Sequence, residues 1–167
     1  MTHSLRIRAA TPADAEVIAD FNAALAWETE SLTLDRGRLR PGVAAVLLDP
    51  GKGRYWVAEI EGEVIGQLLL TFEWSDWRHG NFWWIQSVYV RPDSRGRGVF
   101  KALFNHVRTL AATTPEVCGL RLYVETHNTA AKVVYHRLGM KSTSYELLEI
   151  DQIFPAGSDS TGSPSPG

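Results

Sequence analysis

The feature that most constrains this chain is the run VYVRPDSRGRGVFKALF, from Val88 to Phe104. It sets strand-forming residues, a Gly/Arg turn and an amphipathic segment in immediate succession. Val99, Leu103, Val107 and Leu110 recur at helical spacing, which predicts a helix over 99–112. The first turn of a helix exposes N–H groups with no internal partner, and the macrodipole adds partial positive charge there. Gly96 and Gly98 carry no Cβ, so phosphate oxygens can approach the backbone closely. Arg95 and Arg97 add guanidinium charge that suits phosphate geometry. In physical terms this is a cradle for a diphosphate. It is not a P-loop, because the Gly-Lys-Ser/Thr ending is absent. Its glycine spacing is not that of a dinucleotide fingerprint either. For such a turn in isolation, a solvated basic loop is the plain alternative. Its position between a strand and a helix argues against that.

The surrounding elements follow from periodicity and punctuation. Leu5 to Ala9 alternates as a first strand. Thr11 and Pro12 open a helix whose Val17, Ile18, Phe21, Ala24 and Leu25 line one face, with Asn22 on its rim. Trp27 to Thr33 reads as polar and irregular. Arg38 to Leu48 reads as a second helix with Pro41 in its first turn, stopped by Asp49-Pro50-Gly51. Arg54 to Ile60 and Val64 to Trp74 form a hairpin around Glu61-Gly62-Glu63. Ser75 to Gly80 is a loop and Phe82 to Val90 a strand rich in aromatic and β-branched residues. Leu120 to Val124 is a strand, and Lys141 to Ile150 closes with strand character. The expected fold is of α/β (α+β) type, a mixed and largely antiparallel twisted sheet flanked by helices. One domain is expected over 1–153, with 154–167 a disordered Gly/Ser/Pro tail.

A second constellation is LYVETHNTAAKVVYHRLGM, from Leu122 to Met140. Asn128 can cap a helix over 129–138, ended by Gly139 as its C′ glycine. Tyr135 follows Asn128 by nearly two turns, about 10 Å along the axis, so both point to one face with Ala131 between them. A phenol with an ordinary pKa of about 10 stays protonated at neutral pH and can donate a proton. For an isolated tyrosine the plain alternative is a core position on an amphipathic helix.

Together, RGRGVF after VYVRP and NTAAKVVYHRLGM some thirty residues on resemble the GNAT superfamily of N-acetyltransferases, from Leu5 to about Ile150. The resemblance implies a GNAT-like acyl-CoA fold and acetyl-CoA as co-substrate. It implies that backbone groups of Val88, Tyr89 and Val90 pair with the pantetheine arm. It implies that Arg95, Gly96, Arg97, Gly98, Val99, Phe100 and Lys101 cradle the pyrophosphate. Asn128 would contact the pantetheine arm, beside Ala131, and Tyr135 would protonate the leaving thiolate. The family pattern Q/R-x-x-G-x-G/A ends in a small residue where this chain has Phe100, which either points into the sheet packing or reshapes the cradle.

An aliphatic amine is almost wholly protonated at pH 7, so acyl transfer needs a proton acceptor. Glu28 and Glu30 in WETES are the leading candidates, with Asp76, Glu125 and a water-orienting Gln86 behind them. Each carboxylate has a plain alternative as a solvated or salt-bridged surface group. Trp74, Trp77, Trp83 and Trp84 cannot all face the core, since Trp83 and Trp84 must point to opposite sides of a strand. One of them could line an acceptor pocket for an apolar or cationic substrate. Core packing plus the interface of a homodimer is the alternative.

Composition bounds the partners. The net charge is −2 and the pI about 6.2, without the basic excess of a nucleic-acid binder. An RNA-contacting Arg-Gly module is therefore disfavoured. Cys118 is the sole cysteine, so it reads as inert packing in a reducing, cytoplasmic setting. Neither a signal peptide, a membrane span nor a zinc-spaced His/Cys cluster is expected. The expected activity is transfer of acetyl from acetyl-CoA to a primary amine of a small molecule or peptide. The alternative is a non-catalytic acyl-CoA-binding or interaction domain.

Overall fold

The computed structural model describes residues 4–150, so the predicted tail lies outside the described residues. They form two compact units divided between Tyr123 and Val124. In the first unit, β1 (Arg6–Ala9) leads through a 3-10 turn (Pro12–Asp14) into α1 (Ala15–Glu30) and α2 (Arg36–Leu48). Then come β2 (Arg54–Ile60), β3 (Glu63–Ser75) and β4 (Gly80–Val90), a second 3-10 turn (Pro92–Ser94), α3 (Val99–Thr113) and β5 (Val117–Leu122). The second unit holds α4 (Thr129–Arg137).

The five strands form one sheet in sequence order. β1 to β4 pair antiparallel, and β5 joins β4 parallel. Alternation sorts its two faces. Tyr55 and Val57 of β2 are buried with Ile18 and Ala19 of α1 and Val43 of α2, and Leu69 of β3 packs against them. Trp56, between them in sequence, points the other way and meets the His106 ring of α3 at 4.4 Å between centroids. The wholly buried Leu68, Leu103 and Val107, with Phe104 close to it, show how completely α3 closes that side.

The entry to α1 is held by charge. Arg8 donates Nη1–H and Nη2–H to Asp14 at 2.8 and 2.9 Å and Nε–H to Glu59 at 2.6 Å. Asp14 also accepts from the Thr11 N–H at 2.7 Å. The Arg8 guanidinium holds the Asp14 carboxyl below its usual range. Asn22 bridges the two layers. It donates to the Tyr55 hydroxyl at 3.1 Å and accepts from the fully buried Gln67 amide at 2.6 Å.

Three expectations are corrected. Trp27 to Glu30 is the last turn of α1, ended by Ser31 at φ 54°, because this polar stretch has good helix formers and no breaker. α2 begins at Arg36, since Asp35 caps it by accepting from the Gly37 N–H at 2.8 Å. Pro41 therefore sits inside the helix and supplies no N–H to the Gly37 carbonyl four residues back. Residues 141–150 carry no strand, and Tyr145, Leu147, Leu148 and Ile150 are exposed. Alternation supplies a strand pattern but no partner strand, and without pairing it makes no element.

Candidate active site

β4 has two ends, and they are built differently. β5 pairs with it only from Asn81 to Ile85. Past Ile85, the β4 edge facing away from β3 has no partner strand among the described residues. A bulge at Gln86 accompanies the change, since Leu69 pairs with Ser87 but Leu70 with Ile85. Arg91 donates its N–H to the Ile65 carbonyl of β3. By alternation, the N–H and C=O of Val88 and the N–H of Val90 point to the unpaired edge.

That edge runs into the glycine turn. Gly96 and Gly98 take φ 72° and 81°, the left-handed region that glycine enters without strain. Nothing lies within 4 Å of a Cβ built on either one, so the loop is open on that side. Gly98 is the N-cap of α3, and the first intrahelical bond is Ala102 N–H to the Gly98 carbonyl. The N–H groups of Val99 and Lys101 thus precede the helical ladder and are available to an anion. Val99 itself is buried, while Arg97 and Lys101 are exposed. The Phe100 ring lies 6.1 Å from that of the buried Phe104. It packs along the helix, so its bulk does not fill the turn. Open left-handed glycines, the first-turn N–H groups of Val99 and Lys101 and the exposed cations of Arg97 and Lys101 fit the diphosphate of CoA.

Arg95 is occupied differently from Arg97. Its Nε–H donates to the Val90 carbonyl at 2.8 Å, and its Nη2–H to Glu28 at 2.7 Å. Glu28 also accepts from the Tyr89 hydroxyl at 3.0 Å. Arg95, helped by that hydroxyl, holds the Glu28 carboxyl below its ordinary range. Burial and the Glu28 charge push the Tyr89 phenol up. Glu28 is therefore a brace from the last turn of α1 to β4 and the glycine loop. A carboxylate held ionised in this way is a weak proton acceptor. Glu30 is exposed and two residues away on the helix, so it does not share that face.

The other end of β4 is aromatic. Trp83 pairs with Phe72 and lies two residues from Ile85, on the α3 face. Trp84 pairs with Thr71 and lies on the opposite face, that of α1 and α2. Its ring stacks on Tyr123 at 4.5 Å and 28°. The Trp84 indole N–H donates to Glu73, and Arg121 donates to the same carboxylate at 3.1 Å. The Arg121 guanidinium lies 3.5 Å over the Phe82 ring. Gln86 is exposed and donates to the Thr71 hydroxyl at 2.7 Å. Glu73 escaped the sequence reading. The available signal was a carboxylate inside the long strand β3, two residues from Thr71 and so on its face. Asp76 and His79 belong to the exposed β3–β4 turn, beside exposed Trp74 and Trp77.

In the second unit, Asn128 caps α4 as expected, its side-chain oxygen accepting from the Ala131 N–H at 3.0 Å. The helix closes at Gly139, φ 94°. The Gly139 N–H reaches the His136 carbonyl and the Met140 N–H the Tyr135 carbonyl. That is the glycine-ended C-terminal motif read from the sequence. Asn128 and Tyr135 are thus set nearly two turns apart on one short helix. Burial raises the Tyr135 phenol above its ordinary value, so it holds its proton at neutral pH.

Among the described residues there is no group of His, Cys, Asp and Glu able to hold a metal ion. No helix of theirs is long and apolar enough to cross a membrane.

Comparison with known proteins gives this geometry a family. Residues 17–140 match the acetyltransferase (GNAT) family. A mycothiol acetyltransferase of Streptomyces griseus is 32% identical over 143 residues, which are 81% of this chain and 42% of that protein. A peptidyl-lysine N-acetyltransferase of Salmonella typhimurium is 33% identical over 99 residues, 59% of this chain and 56% of that one. The chain thus spans about half the length of these curated relatives. The crystal structure of a possible acetyltransferase from Clostridium difficile 630 superposes with a TM-score of 0.86 at 44% identity, over 90% of this chain and 99% of that one. This chain belongs to the acetyltransferase (GNAT) family.

Proposed function

We propose that the protein is an acetyl-CoA-dependent N-acetyltransferase that moves the acetyl group directly to a primary amine of a small molecule or peptide. The observation that carries this reading is the open, left-handed Gly96/Gly98 turn at the N-terminus of α3, continuous with the unpaired edge of β4. The pyrophosphate would take the first-turn N–H groups, with Arg97 and Lys101 supplying charge. The pantetheine arm would take the backbone groups of Val88 and Val90; the family resemblance assigns Asn128 and Ala131 to the same arm. The family match extends across both units, which supports one N-acetyltransferase domain over 1–153.

In the transfer, the amine nitrogen bonds to the acetyl carbon and the carbon–sulfur bond breaks. The departing thiolate takes a proton from Tyr135, whose burial keeps the phenol neutral. The proton lost by the amine leaves through water, with exposed Glu30 the remaining carboxylate of the WETES segment to accept it. Relatives named for mycothiol and for peptidyl-lysine are consistent with an amine acceptor. Exposed Trp74 and Trp77 are the surface a homodimer would bury.

The test is thiol release from acetyl-CoA against a panel of primary amines. Amine-dependent release supports the enzyme. Acetyl-CoA binding without release across the panel would leave a non-catalytic acyl-CoA-binding domain.

A further inference from the structure

The exposed part of the α1/α2 sheet face, where β4 and β5 part, carries both signs of charge on an aromatic floor. Arg121 pairs with Trp84 in register, one step before pairing ends at Ile85 and Leu122, and Tyr123 is the first residue beyond it. The Glu73 side chain keeps 46% of its surface and Tyr123 keeps 53%. The Glu73 carboxylate is aimed by two donors, the Trp84 indole and Arg121, yet stays open to solvent. Arg121 gives only Nη1 to Glu73, so Nε and Nη2 keep donors for another anion. The Phe82 ring lies 3.5 Å beneath the guanidinium carbon. The outer face of the Trp84–Tyr123 stack offers apolar surface beside the charges.

A simple cation would meet Arg121 as well as Glu73, and a simple anion the reverse. A molecule carrying both charges on neighbouring atoms meets each with its opposite. We propose that this patch selects the acceptor, and that the acceptor is amino-acid-like. Its ammonium lies at Glu73, its carboxylate on the open side of the Arg121 fork, and its apolar side chain against Tyr123 and Trp84. The inference rests on the acetyltransferase reading. It places the amine on the sheet face of Thr71, whose hydroxyl accepts from Gln86, where the unpaired edge assigned to the pantetheine arm begins.

The experiment compares phenylalanine and tryptophan with phenethylamine and tryptamine, which keep the body and lack the carboxylate. Acetyl-CoA affinity is measured in parallel by calorimetry. The amino acids are expected to show the higher kcat/KM, by about tenfold, as for one charge-assisted contact. Arg121→Gln should erase that preference, whatever its effect on the absolute rate. Glu73→Gln should raise the acceptor KM by about tenfold with acetyl-CoA affinity unchanged. Because each readout is a ratio or a split between the two substrates, partial loss of folded protein does not imitate it. The proposal is overturned if the decarboxylated amines are used equally well or better by the wild type. It is likewise overturned if Arg121→Gln leaves the ratio intact, or if neither class is acetylated by protein that binds acetyl-CoA. Failure to bind acetyl-CoA would instead remove the acetyltransferase reading beneath it.

Discussion

The two ends of β4 present different groups to solvent. At the Val88–Val90 end the available groups are backbone: a free strand edge, left-handed glycines and the first turn of α3. At the Trp84 end they are side chains: a carboxylate, a guanidinium and stacked rings. Backbone donors suit a ligand part that is the same in every turnover, because they survive substitution of most side chains. Side chains on an exposed sheet face can change without disturbing the ladder beneath. A bulge at Gln86 separates the two, so one strand serves both.

The largest effect is expected at Tyr135. Tyr135→Phe keeps the ring and removes the proton, so kcat should fall within or somewhat below the roughly 10²–10⁴-fold range of general acid catalysis. Acetyl-CoA affinity should be almost unchanged. Steady-state kinetics with a thermal melt separates this from a structural tyrosine, which would lose about 1 kcal/mol of stability and little rate.

A smaller effect is expected at the brace. Glu28→Gln releases the Arg95 guanidinium from a competing carboxylate and places it within reach of phosphate. Acetyl-CoA should bind a few-fold more tightly by calorimetry, with the pH profile of turnover unmoved. A lost acidic limb would make Glu28 the base and the brace secondary.

The smallest functional effect is expected at Asp14, on neither end of β4. Arg8 depresses its folded pKa below the unfolded value. Its contribution to stability is therefore complete above the ordinary carboxyl range and is lost as pH falls through the lower folded value. Asp14→Asn should cost about 1–3 kcal/mol at pH 7, flatten the acid limb of the stability curve and leave kcat/KM unchanged. Denaturant melts from pH 7 to pH 2 test this.

The same contrast explains what could be read from the chain. The glycine turn, the Asn128 cap and the Gly139 stop are local, so their residues announce them. α3 was placed to within a residue, because Val99, Leu103 and Val107 carry its periodicity alone. Glu73, by contrast, matters only through its neighbours: the β3–β4 register places it by Trp84, and the parallel β4–β5 register brings Arg121. Pairing across 48 residues has no local signature. Glu28 stands out in the chain only as one carboxylate of the WETES segment. Its tie to Arg95, 67 residues away, is a tertiary fact and turns a candidate base into a brace.

The central claim is that backbone at one end of β4 holds acetyl-CoA while side chains at the other end choose the acceptor. Calorimetric titration of acetyl-CoA into the wild type, Gly98→Val and Glu73→Gln tests it most directly. Valine at φ 81° is strained by roughly 1–2 kcal/mol or more and shields the first-turn N–H groups. The account predicts tight binding to the wild type and to Glu73→Gln, and at least tenfold weaker binding to a folded Gly98→Val. Equal affinity in all three, or loss at Glu73→Gln with Gly98→Val unaffected, would contradict it.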